Sequence, residues 1–218
     1  MIVLALDTAG VDCAAAVYDS GSDSVMGEVT ETIGRGHAEH LMHVIDEALA
    51  KAGTALSDVE RVVVTVGPGS FTGIRIGVAA ARGFALSLDI PAVGVTTLEV
   101  MAAAAGKQNP GKPVLAAIDA KREEIYLQAF DANGDPLDEA RAVTVDEART
   151  IAAAFDGIVT GTAVARLSDA PPAERPDAFP IAVVARLGAA KPVSEKPKPL
   201  YLRGPDARPQ AGYAVARQ

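Results

Sequence analysis

Residues 2–6 form a short apolar run that ends at Asp7-Thr8-Ala9-Gly10, and a second run, 13–18, leads into the turn-rich Asp19-Ser20-Gly21-Ser22-Asp23. Two apolar runs joined and closed by turn residues predict a hairpin. Residues 25–33 alternate β-branched with polar positions, the pattern of a third antiparallel strand with one wet face. From His37 the period changes. Leu41, Val44, Ile45, Ala48 and Leu49 recur as on one face of an amphipathic helix over 37–51, which Gly53 can end. The continuous run 62–66 predicts a strand buried on both faces, followed by the loop Gly67-Pro68-Gly69-Ser70-Phe71-Thr72-Gly73 and a helix over 74–86. Residues 91–95 predict another strand, and Thr96 with Glu99 predicts a capping box opening a helix through residue 105.

A stretch with two prolines and two glycines, 106–113, marks a junction, so a first lobe is expected over 1–106 and a smaller one over 107–203. In the second lobe, 114–118 and 125–130 read as strands before the turn Asp131-Ala132-Asn133-Gly134. Thr144 and Glu147 cap a helix to Phe155, 158–164 adds a strand, 170–180 is a proline-rich loop and 181–190 is apolar enough for a helix. Residues 204–218 are expected to be a disordered tail.

Composition narrows the function. Of 218 residues, 49% are apolar and 4% aromatic, which predicts a lean aliphatic core, and a net charge of −8 argues against holding tRNA unaided, because that requires cations on phosphates. The single cysteine, Cys13, excludes an internal disulfide and reads as a small packed hydrophobe rather than a reactive thiol. The N-terminus lacks a basic stretch followed by a long apolar run, so a soluble cytoplasmic protein without membrane attachment is expected.

All three histidines, His37, His40 and His43, fall within seven residues, which raises a metal site. On a helix, His40 and His43 lie about 60° and 120° around from His37, so the three fan out rather than converge, and no cysteine-rich partner cluster completes a tetrahedron. The simpler reading puts His37 at the core edge, with His40 and His43 facing solvent or a partner. The glycine loop invites phosphate binding through backbone amides and a helix end, yet Ile74 and Arg75 stand where a Walker loop needs its lysine. A structural turn is the favoured reading. Asp7 could hold Mg²⁺ through water with Thr8 touching phosphate, or both could shape a turn. Asp119 ends an apolar strand in the second lobe without an accompanying glycine, which favours a closed or salt-bridged turn.

Between Ile74 and Leu86 only Arg75 and Arg82 are charged, and seven positions return them to one stripe. A helix this apolar needs cover on several sides. Ile76, Gly77, Ala80, Ala81 and Phe84, with His40, Met42 and His43 on the preceding helix, are therefore candidate partner contacts, with Gly77 and Ala81 admitting another helix closely. The alternative is cover by the chain's own first helix and second lobe.

Four segments resemble the TsaB family. They are Leu4-Ala5-Leu6-Asp7-Thr8, the R-x-H-x-E pattern in Arg35-Gly36-His37-Ala38-Glu39-His40-Leu41, the run from Gly67 through Gly73-Ile74-Arg75-Ile76-Gly77, and Pro199-Leu200-Tyr201-Leu202-Arg203. Many family members carry serine where Ala38 stands. The resemblance implies an α/β fold of two ribonuclease-H-like lobes of the actin-like ATPase (ASKHA) superfamily, with mixed sheets and helices. It also implies a non-catalytic subunit that binds a TsaD-like transferase subunit, together with a TsaE-like ATPase, for threonylcarbamoyl transfer to adenosine of tRNA next to the anticodon. The resemblance implies that a helical face of the first lobe pairs either with the TsaD-like subunit or with a second copy of the chain, leaving monomer or homodimer open for the chain alone. No tightly bound cofactor is implied; a nucleotide would sit at the interface of the complex, and Asp7, Thr8, Gly67, Gly69, Ser70, Thr72, Gly73 and Asp119 would be vestigial nucleotide loops. TsaD-like enzymes carry two metal-binding histidines just after the strand equivalent to 91–95, where this chain has Thr97 and Met101. The alternative is an active ATPase or metallopeptidase of the same superfamily.

Overall fold

A computed structural model describes residues 1–168 and 178–203. Residues 169–177, most of the expected proline-rich loop, and the expected tail after Arg203 lie outside them.

The chain builds two sheets from one repeated plan. In the first, β1 (Ile2–Asp7), β2 (Asp12–Asp19) and β3 (Ser24–Thr32) are an antiparallel meander. Helix α1 (His37–Ala52), β4 (Arg61–Thr65), α2 (Phe71–Leu88) and β5 (Ala92–Val95) follow, with β4 parallel to both β1 and β5, giving the order β3-β2-β1-β4-β5. After α3 (Thr97–Gln108) the plan restarts. Strands β6 (Val114–Asp119), β7 (Glu124–Phe130) and β8 (Arg141–Thr144) form a second antiparallel meander. Helix α4 (Val145–Ala154) returns the chain to β9 (Ile158–Thr160), parallel to β6, in the order β8-β7-β6-β9. Two sheets of this topology are the two ribonuclease-H-like units of an α/β fold.

Local chemistry explains the element ends. Gly53 takes the left-handed conformation that closes α1, and its N–H bonds to Ala50 O and Leu49 O nearby are satisfied through the cap. The Thr96–Glu99 capping box opens α3, and Thr144 Oγ1 accepts from Glu147 N to open α4. Helix α2 starts at Phe71, three residues earlier than apolar spacing indicates, because the Ser70 side chain caps it by accepting from Gly73 N. Strand β8, four residues paired to β7, has too short a pattern to be read from sequence.

Short α5 (Val164–Leu167) follows β9, and α6 (Ile181–Ala190) then returns to the first sheet. There Gly188 lies so close to Val63 that an added Cβ would fall 2.2 Å from Val63 Cγ1. Arg61 Nη1 donates to the carbonyls of Gly188, Ala189 and Lys191, each at 2.9 Å, tying the last turn of α6 to the start of β4. Helix α3 runs through Gly106 and packs on β6, so Val100, Met101 and Ala102 share one core with Val114, Ala116 and Ile118. Cys13 is buried in that core, and burial pushes its thiol up to about 12, so it packs as a hydrophobe.

Candidate functional site

The turn after β1 and the glycine loop after β4 meet face to face. Asp7 is fully buried. Its Oδ1 accepts from Ala9 N at 3.0 Å and from Thr65 Oγ1 at 2.5 Å, while Oδ2 has no hydrogen-bond partner among the described residues. Burial pushes the Asp7 carboxyl up to about 6; the bonds from Thr65 and Ala9 oppose this and the nearby Asp12 adds to it. Thr8 Oγ1 donates to Gly73 O at 2.7 Å, and Ser70 N donates to Ala9 O at 2.8 Å.

The glycines make this approach possible. A Cβ on Gly69 would lie 2.4 Å from Ala9 O, one on Gly73 1.9 Å from Thr8 O, and one on Gly77 2.5 Å from Thr8 Oγ1. The glycine loop thus packs directly on Thr8 and Ala9. Ser70 and Thr72 remain exposed at the start of α2, whereas Gly67, with φ 97, packs on Ile74. Thr97 is buried and pins the loop, donating Oγ1 to Pro68 O at 2.6 Å and N to Gly67 O at 3.0 Å. Met101 is buried beside Gly161. The two positions at which the transferase resemblance calls for imidazoles are therefore occupied by core side chains.

Asp119 closes the matching turn of the second sheet. Arg166 Nη1 reaches Asp119 Oδ1 at 2.9 Å, the same oxygen accepts from Lys121 N at 2.9 Å, and Asp119 N donates to Thr162 Oγ1. This is the salt-bridged turn expected there, with a cation that sequence spacing could not assign.

The histidines separate as the helix geometry requires. His37 is buried and donates Nε2–H to the Asp12 carbonyl at 3.1 Å, and His40 and His43 face outward. His40 Nδ1 lies 2.9 Å from Glu31 Oε2. Glu31, His43 and Glu47 offer ligand atoms within 4.8 Å of one another, the one such group among the described residues, but Glu47 also pairs with Lys51 at 2.9 Å. Glu31 enters from β3, a neighbour no reading of the helix alone could supply.

Helix α2 has two sides of different character. Gly73, Ile74, Gly77, Val78 and Ala81 face the sheet. Gly77 and Ala81, expected to admit a partner helix, are instead buried against the chain itself and cannot line an interface. The lack of a side chain at Gly77 lets Thr8 and Val64 pack closely on it. Outward stand Thr72, Arg75, Ala79, Arg82 and Leu86, the last 81% exposed, flanked by half-buried Ile76, Ala80 and Phe84. Exposed His40, Met42 and His43 lie on the adjacent α1. Helix α2 is as long and apolar as a membrane-crossing helix, yet it is the crossover between two parallel strands of one sheet; only 28% of it is buried. Arg75 lies over the Phe71 ring, 3.7 Å from its centroid, and donates Nε to Tyr201 OH at 2.7 Å, a cluster joining the glycine loop to the last motif.

A family model described as TsaD, tRNA N6-adenosine threonylcarbamoyltransferase, matches residues 18–181. The tRNA threonylcarbamoyladenosine biosynthesis protein TsaB of Escherichia coli is 38% identical over 136 residues, 62% of this chain and 58% of that relative, so the chain spans little more than half the relative's length. An uncharacterized protein of Mycobacterium tuberculosis is 35% identical over 212 residues, 96% of this chain and 95% of its own length. YeaZ from Pseudomonas aeruginosa has a TM-score of 0.76 at 27% identity, with 92% of this chain and 99% of that chain covered. With a transferase-family model over most of its length, a TsaB relative at 38% identity and a repeated two-sheet topology, the chain belongs to the TsaB family.

Proposed function

We propose that the chain is a non-catalytic docking subunit in tRNA threonylcarbamoyladenosine biosynthesis. It binds a TsaD-like transferase subunit through the outward faces of α1 and α2, with a TsaE-like ATPase completing the cytoplasmic assembly, and pairs with a second copy of itself when alone. The observation that carries this is the outward side of α2, where exposed Ala79 and Leu86 stand beside Arg75 and Arg82, flanked by half-buried Ile76, Ala80 and Phe84, and leave a long helix with one side uncovered. Two features support the absence of chemistry in this chain. The glycine loop is closed onto Thr8 and Ala9, and Thr97 and Met101 are core residues without metal-binding atoms of the required kind. The tRNA would be held by other subunits, since a net charge of −8 works against phosphate binding.

Size-exclusion chromatography of the chain with a TsaD-like subunit tests this. Ala80→Glu and Leu86→Glu should each weaken the complex by about tenfold or more while the variant chain stays folded, because a charge on an apolar contact must be desolvated without a partner. Complexes of unchanged affinity in both variants would refute the assignment. A second reading, an ATPase of the same superfamily, draws on buried Asp7 with its unpartnered Oδ2. It requires ATP turnover by the isolated chain that Asp7→Ala abolishes.

A further inference from the structure

The segment after α6 crosses from one sheet to the other; Leu200 and Leu202 pack on the core, and the residues between and beyond them make directional polar and aromatic contacts. Leu200 N donates to Val66 O at 2.8 Å, at the end of β4. Tyr201 then stacks near Phe71, ring centroids 5.5 Å apart, and accepts the Nε–H of Arg75. Two residues later Arg203 reaches the second sheet, where Nε and Nη2 both donate to Glu124 Oε2 and Nη2 also donates to Lys121 O at 3.4 Å. Tyr201 thus holds the head of α2 and Arg203 holds the β6–β7 hairpin.

The hairpin is an unusual thing to hold. Lys121, Arg122 and Glu123 all take left-handed φ values, 61°, 52° and 64°, a conformation costing roughly 1 kcal/mol or more per non-glycine residue. Such a turn persists only where its surroundings over-determine it. Here Asp119 accepts from Lys121 N, Arg166 pairs with Glu123, Val145 N donates to Glu123 O, and Arg203 takes the Lys121 carbonyl.

We propose that Tyr201 and Arg203 form a clasp that fixes the angle between the two sheets. Another tie between them is the apolar core around α3, which resists separation but, being non-directional, permits small rotations. The clasp is directional, half-exposed and made of side chains, so it can open without unfolding either sheet.

Paired spin labels at Thr30→Cys on β3 and Asn133→Cys beyond β7 read the angle directly, since both sites are exposed and the native Cys13 is buried. In the otherwise unaltered full chain they should give one narrow distance peak. Tyr201→Ala with Arg203→Ala should abolish that narrow peak and leave far-UV circular dichroism unchanged, and so should Arg203→Glu alone. Adding Glu124→Arg to Arg203→Glu should restore it. A double-alanine variant as narrow as the parent, a charge swap that stays broad, or a loss of helical signal would each overturn the clasp.

Discussion

Asp7 and Asp119 occupy the same place in the repeated plan, each ending the first strand of its sheet, and they have opposite surroundings. Asp7 is sealed under a glycine loop, with one oxygen unpartnered and its carboxyl pushed up to about 6. Asp119 is one-third exposed and paired with Arg166. The first turn is closed by backbone against backbone, through glycines that let the loop approach Ala9 O and Thr8 O. The second is closed by an ion pair, and its next residue, Ala120, is not a glycine. One topological position thus became a close-packed seam in one sheet and a salt-bridged, partly exposed turn in the other. In the first sheet, the helix that follows the seam keeps one side exposed.

The difference can be broken from its larger end. Gly73→Ala sets a methyl 1.9 Å from Thr8 O, so it should cost about 3 kcal/mol or more in denaturant unfolding, at or beyond the upper range of overpacking. Ala120→Gly in the second turn should cost no more than about 1 kcal/mol, through chain entropy alone. A seam that tolerates Gly73→Ala as easily would not be close-packed.

Asp7 supplies the next effect, with a definite sign. Its folded carboxyl lies above the ordinary 3.8, at about 6, so the folded state holds the proton more tightly than the unfolded one. For this group stability is greatest at low pH, falls as pH rises from about 4 to about 6, and stays reduced above that, by about 3 kcal/mol in all. The stability difference between the parent and Asp7→Asn, measured by urea midpoints from pH 4 to 7, should trace that fall. A difference flat across the window would show that Asp7 titrates normally. The smallest effect belongs to the partly exposed ion pairs of Arg166 with Asp119 and Glu123: Arg166→Ala should cost about 1 kcal/mol, and less at high salt.

Much of this was legible in the residues. The meander of β1 to β3, the period of α1 with Leu41 to Leu49 inward, both Thr-initiated caps and the outward stripe of Arg75 and Arg82 follow from local pattern, and the structure has them. What sequence withholds is which side of an apolar helix the sheet takes. Gly77 and Ala81 do mark a side of close packing, but what approaches Gly77 is the side chains of Thr8 and Val64, and Ala81 is buried in the chain's own core. The return of α6 to the first sheet, Glu31 beside the histidines and Arg166 on Asp119 all join residues far apart in the chain, which periodicity cannot register. Tyr201 was visible as part of a motif, but its hold on Arg75 required the fold.

The central claim is that this chain contributes a surface rather than a reaction. Reconstituted threonylcarbamoyl transfer to tRNA by a TsaD-like subunit with its ATPase tests it most directly, comparing the parent chain with Asp7→Asn and Leu86→Glu. The account predicts full transfer with Asp7→Asn and a large loss with Leu86→Glu; transfer lost with Asp7→Asn and kept with Leu86→Glu would contradict it.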